Sequence, residues 1–151
     1  MNIKNLLIFV AVFLVSFMIL FFVTNPSYEK SLEAKYHYEM GEYTKAYKLA
    51  NEAFTLDVYN RMASTIMAQS KTSMKYEKYI KDAKQYLNTI NEIIAQDTID
   101  DAQRSRIKLM SEIMVDSYVK LAPSIITDKH LVDEAARYHE QFEKILEKVD
   151  R

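Results

Sequence analysis

Cysteine is absent from the 151 residues, tryptophan is absent too, and turn-forming residues are scarce: one glycine, Gly41, and two prolines, Pro26 and Pro123. Without cysteine there is no disulfide framework and no thiolate metal site. No cysteine follows the N-terminal apolar run, so a lipid-modified cysteine start is excluded as well. A single glycine rules out the glycine-rich phosphate loops GxxxxGK[ST] and GxGxxG. Strands joined by hairpins need turn residues that this chain lacks, so an all-α fold is expected. Charge of one sign is also missing. The net charge is −1, which leaves no basic surplus to neutralise a phosphate backbone and argues against nucleic acid as a partner.

What is present is one long hydrophobic run. Leu6–Val23 holds 18 residues, of which only Ser16 is polar. At about 1.5 Å per residue, such a helix is roughly 27 Å long, close to the ~30 Å hydrocarbon core of a bilayer. Residues 1–5 form a short tail and residues 6–24 the expected transmembrane helix, with Leu6, Phe9, Phe13, Phe17, Leu20 and Val23 as its lipid-facing anchor residues. A cleaved signal peptide is the competing reading. Lys4 supplies a positive start, but the run exceeds the usual ~7–15-residue signal core, and Phe21–Pro26 contains no Ala-x-Ala site. The short positive tail points to an inside N-terminus, with the rest of the chain outside the cytoplasm. In a bacterial inner membrane that side is the periplasm.

From Pro26 onward the pattern is charged, tyrosine-rich and helical. Residues 27–150 are expected to form one domain of three consecutive helical hairpins, at about 27–57, 58–96 and 100–149. Asn25-Pro26 is a helix start, with Asn as cap and Pro in the first turn. Gly41 ends that helix. The next carries Ala46, Leu49, Ala50, Ala53 and Phe54 on one side. A third helix over 58–73, with Tyr59, Met62, Ile66 and Met74 on its apolar face, is followed by a turn at Thr72-Ser73. A fourth runs over 76–95. Asp100 with Gln103 forms a capping box for a helix over 101–121, which Pro123 terminates. Asp128 caps a last helix over 129–149. Its stripe of Leu131, Ala135, Tyr138, Phe142, Ile145 and Val149 alternates steps of 4 and 3. Such a stripe suits either intrachain packing or self-association into a homo-oligomer.

The segment Tyr36–Asn60, YHYEMGEYTKAYKLANEAFTLDVYN, resembles the second half of a tetratricopeptide repeat, a helix–turn–helix unit of about 34 residues. Gly41 and Tyr43 match the family's Gly-x-Tyr turn. Ala46 and Ala53 match its paired small residues, and Ala34 the small residue of the first helix. Leu56-Asp57 matches the end signal, with Val58 where the family has Pro. Lys30 stands where the first helix has a large aromatic. The resemblance implies a stack of helical hairpins that presents a binding flank to protein partners.

No catalytic, cofactor-binding or metal-ligating set emerges. His37, His130 and His139 are scattered, and the zinc pattern His-Glu-x-x-His is absent. No serine, histidine and carboxylate fall in a nucleophile motif. An enzyme is therefore not expected. The candidate partner surface is made of Tyr38 and Tyr47, with Tyr36 and Tyr43 assigned to the core, and of Lys71, Lys75 and Lys78 on one helix face. Two functional expectations follow. One is a single-pass scaffold or adaptor, partnered by the bilayer and by a membrane-associated protein. The other is an accessory subunit of a larger membrane complex, held through its transmembrane helix.

Overall fold

The computed structural model describes residues 3–96, 98–123 and 127–149, residues 21–23 for their backbone only. Among the described residues the chain is all-helical: α1 (Ile3–Thr24), α2 (Pro26–Glu39), α3 (Tyr43–Leu56), α4 (Arg61–Ile94), α5 (Asp101–Val119) and α6 (Lys129–Val149), with no strand. The chain packs as two compact units, Met1–Ser70 and Lys71–Arg151.

In the first unit, the start of α2 is built as its sequence dictates. The Asn25 side chain accepts from the Ser27 N–H at 3.0 Å, and Pro26 occupies the first helical position, where its missing N–H costs nothing. Gly41 adopts φ +78°, a left-handed conformation that side chains disfavour and that closes the α2–α3 turn. Ala34, Ala46 and Ala50 are fully buried and form a small core with Ile66. Their methyl groups let the helix backbones approach closely.

Beside that core lies a buried polar knot. Asn60 is fully buried and donates from Nδ2 to the hydroxyls of Ser27 and Ser31, both at 2.8 Å. The Ser27 hydroxyl donates in turn to the Ala53 carbonyl at 2.8 Å. The Asn60 Oδ1 accepts from the Ala63 N–H at 3.1 Å and caps α4. The Asn60 side chain thus joins α2 to the start of α4, and Ser27 extends the network to α3, so polar groups that would otherwise be orphaned are satisfied. Asn60→Ala removes the cap and leaves buried hydroxyls with fewer partners. It is expected to cost about 2 kcal/mol, read as a lowered urea midpoint with unchanged slope. An unchanged midpoint would show that water replaces the amide.

The second unit is a three-helix bundle made of the part of α4 after Ser70, α5 and α6. Phe142, Ile90, Met114 and Tyr76 are its largest fully buried side chains. Leu131, Tyr138, Ile145 and Val149 of α6 pack partly buried against the same cluster as the buried Ala135 and Phe142. The α6 stripe is therefore spent on intrachain packing. The capping box of α5 is complete: Gln103 N–H donates to Asp100 Oδ1 at 2.7 Å, and Asp100 N–H to Gln103 Oε1 at 3.0 Å. At the start of α6, His130 N–H donates to Asp128 Oδ1 at 2.9 Å.

Three expectations need correction. The middle hairpin of 58–96 is not formed: α4 is one helix of 34 residues, running through Thr72-Ser73. No glycine or proline falls within it, and serine and threonine alone do not break a helix. Tyr59, expected on an apolar helix face, lies outside the helix and is 88% exposed. The helix expected over 101–121 ends at Val119, with Lys120 as its cap. Residue 97 of the loop expected between the last two hairpins, and residue 150 at the end of the expected domain, lie outside the described residues.

Candidate membrane anchor and partner surface

α1 starts at Ile3, three residues before the expected boundary, and is long and apolar enough to cross a membrane. None of the 18 residues Ile3–Leu20 is buried within the chain. Leu6, Phe9, Phe13, Phe17 and Leu20 are all exposed. The Val23 side chain lies outside the described residues. At the end of the helix, the Thr24 hydroxyl donates back to the Leu20 carbonyl at 2.8 Å, so even this terminal polar group is satisfied within the helix. Nothing among the described residues offsets the cost of hydrating so many apolar side chains.

The residues assigned to hairpin packing come together. Ala34, Ala46 and Ala53 are fully buried and Tyr43 nearly so. Tyr43 meets Tyr38 edge-on at 5.3 Å between ring centroids, a geometry that favours aromatic pairs. The tyrosine assignment is reversed in part. Tyr38 is half-buried against the Ala34–Ala46 cluster, whereas Tyr36, expected in the core, is exposed beside Leu32 and Met40. Tyr47 is half-buried. A contact the sequence did not suggest locks the α2–α3 turn: His37, itself buried, places Nδ1 2.6 Å from Glu42 and Nε2 3.9 Å from Glu33.

The lysines belong to the second unit, the tyrosines Tyr38 and Tyr47 to the first. Lys71, Lys75 and Lys78 are exposed on α4. Lys78 contacts Asp82 at 2.6 Å, and that hydrogen bond raises its pKa. Lys84 contacts Glu134 at 3.0 Å and is raised by the same kind of bond. Local carboxylates thus answer two of the five lysines in this stretch. The exposed Lys78–Asp82 pair contributes little to stability. Lys71 and Lys75 have no ion pair among the described residues and remain available to an acidic surface.

The bundle core holds a second group of polar atoms. Tyr118 stacks on His139 at 4.1 Å and meets Tyr79 at 5.8 Å. The Tyr79 hydroxyl and His139 Nδ1 are buried without a hydrogen-bond partner among the described residues. The other His139 nitrogen lies 3.4 Å from Glu143. Burial, then the neighbouring Tyr118 and Glu143, push the Tyr79 hydroxyl well above the ordinary tyrosine range. The sign follows by linkage. A raised folded-state pKa gives stability that is present below the unfolded value of about 10 and lost as pH climbs past it. Tyr79→Phe removes an unsatisfied hydroxyl. It is expected to stabilise the protein by about 1 kcal/mol at pH 7, and by more above pH 10. Thermal melts at the two pH values check both parts, and destabilisation at neutral pH would show that the hydroxyl is solvated.

No cluster of three or more His, Asp or Glu side chains among the described residues could hold a metal ion. No protein-family model matches the chain, and comparisons with curated proteins and with solved structures also return no match.

Proposed function

We propose that this chain is a single-pass, membrane-anchored adaptor. In this reading α1 is the anchor, and the helices after Pro26 are a non-catalytic interaction module whose α2–α3 hairpin is tetratricopeptide-like. The observation that carries it is α1: an apolar helix of membrane-spanning length, none of whose residues Ile3–Leu20 is buried by the other described residues. Confinement to a membrane surface raises the effective concentration of the module toward membrane-bound partners. Helical hairpins offer flanks to a peptide or helix. Lys71 and Lys75, exposed on α4, are the residues assigned to a partner surface in the second unit, and Lys4 in the first turn of α1 favours a module outside the cytoplasm.

Alkaline carbonate washing of membranes is the first test. The full chain is expected to stay in the pellet and a variant lacking residues 1–24 to be released. Release of the full chain would sink the anchor, and a mature protein shortened by about 25 residues would make α1 a signal peptide. Exchange of α1 for an unrelated transmembrane helix then separates two roles. Retained function is expected of an adaptor. Loss of function with correct membrane insertion identifies an accessory subunit that packs through α1 itself.

A further inference from the structure

The far end of the three-helix bundle carries a cavity that the core does not fill. It has a volume of about 370 Å³, at the small end of ligand-binding cavities, which run from ~300 to 1,000 Å³. Its walls are aliphatic: Ile94 from the end of α4, Ile99 from the following loop, Ile107 from α5, and Ile145 and Val149 from α6. Ile107 is buried at its floor, while Ile94 and Ile99 are 52% and 39% exposed and mark its mouth. Two further residues complete the lining, Arg104 and Lys148. Both are exposed, and neither has an ion pair among the described residues.

The lining therefore has two kinds of surface, methyl groups and cations. Among the described residues it contains no carboxylate, and no serine, threonine, asparagine or glutamine. A peptide main chain laid here would bury amide groups without partners, at a cost of about 1–3 kcal/mol each. A hydrocarbon chain has no such groups. An anionic head at its end would meet the guanidinium of Arg104 and the ammonium of Lys148. A volume of about 370 Å³ is enough for one unbranched chain of medium length.

We propose that this cavity binds an aliphatic chain ending in an anionic group, with the chain against Ile94, Ile99, Ile107 and Ile145 and the head held by Arg104 and Lys148. A free fatty acid and a chain of an anionic membrane lipid share this chemistry. The site is separate from α1 and does not depend on the anchor reading.

The test uses the full chain in nanodiscs of zwitterionic phosphatidylcholine, photolabelled with dodecanoate carrying a terminal diazirine. Label is expected in residues 94–107 and 145–149. Excess dodecanoate should suppress it, and dodecyltrimethylammonium, with the same chain length and opposite charge, should not. The double variant Arg104→Glu/Lys148→Glu and, separately, Ile99→Glu should lower labelling there at least tenfold. All three positions are exposed, so helical content and urea midpoint should stay unchanged. A second arm replaces the free acid with phosphatidylglycerol bearing the diazirine on its acyl chain. Label at the same residues in this arm identifies the bilayer as the source, and label only with the free acid identifies a fatty acid. Both support the site. Label confined to α1, label that survives charge reversal, or equal competition by the cationic amphiphile overturns it. Displacement by a Leu/Glu amphipathic peptide at tenfold lower concentration than dodecanoate also overturns it, in favour of a peptide site.

Discussion

Lys75→Pro is expected to destabilise the protein by about 3 kcal/mol or more, although Lys75 is exposed and has no ion pair among the described residues. The cost comes from the backbone alone. α4 is continuous from Arg61 to Ile94, so residue 75 lies within its interior. Proline there removes one helical hydrogen bond and drives its ring into the carbonyl one turn earlier. Lys75→Ala keeps the backbone bond and should change stability by less than about 0.5 kcal/mol. The pair of variants distinguishes a single helix from two helices joined near Thr72-Ser73. A turn between them would accept proline close to its start with little loss. Urea titrations followed by circular dichroism read both outcomes, and equal midpoints for the two variants would place a turn where α4 runs through.

Local chemistry explains which features were legible in the sequence. The caps at Asn25, Asp100 and Asp128 involve residues two or three apart, and each forms as written. Gly41 marks its turn because φ +78° suits almost no other residue. The α6 stripe is legible because its buried positions are apolar. The buried side of α2 is not, because Ser27 and Ser31 occupy it with Ala34 and half-buried Tyr38. Those positions repeat at steps of 4, 3 and 4, the spacing of a core stripe, but two serines hide it from any reading based on hydrophobicity. The most apolar face of α2, with Leu32 and Tyr36 and continued by the capping residue Met40, is consequently the exposed one. This is why Tyr36 and Tyr38 exchange roles. The serines are buried because Asn60 reaches them from a position 33 and 29 residues away. Asn60 did carry a local signal, as an asparagine just before a helical run, but its tertiary bonds had none.

The candidate sites divide in the same way. α1 is legible because length and apolarity in one uninterrupted segment mark a helix long and apolar enough to cross a membrane. The lysine face is legible as spacing, yet the pairing of Lys84 with Glu134 joins residues 50 positions apart and needs the bundle. The aliphatic cavity draws on three helices and a loop, with its two cations on α5 and α6. No window of sequence contains it.

Ala46→Arg is expected to be the most damaging single change in the α2–α3 hairpin, at about 4 kcal/mol or more. Ala46 has no exposed surface, and it shares its core with Ala34, Ala50 and Ile66. The helices can approach this closely only because each places a methyl group at the contact. An arginine there must either force the helices apart or hold its guanidinium without water. The first outcome loses the packing of the neighbouring alanines, and the second buries an unpaired charge. Thr44→Arg, two residues earlier and exposed, adds the same side chain with the same helix propensity and should leave the midpoint within about 0.5 kcal/mol. Ala53→Arg should behave like Ala46→Arg and, in addition, disturb the Ala53 carbonyl that accepts from Ser27. Circular dichroism melts of the three variants decide the matter. If Ala46→Arg and Ala53→Arg keep the melting temperature of the unmodified chain, the close alanine contact does not hold the hairpin together, and the proposal that the hairpin is tetratricopeptide-like fails with it.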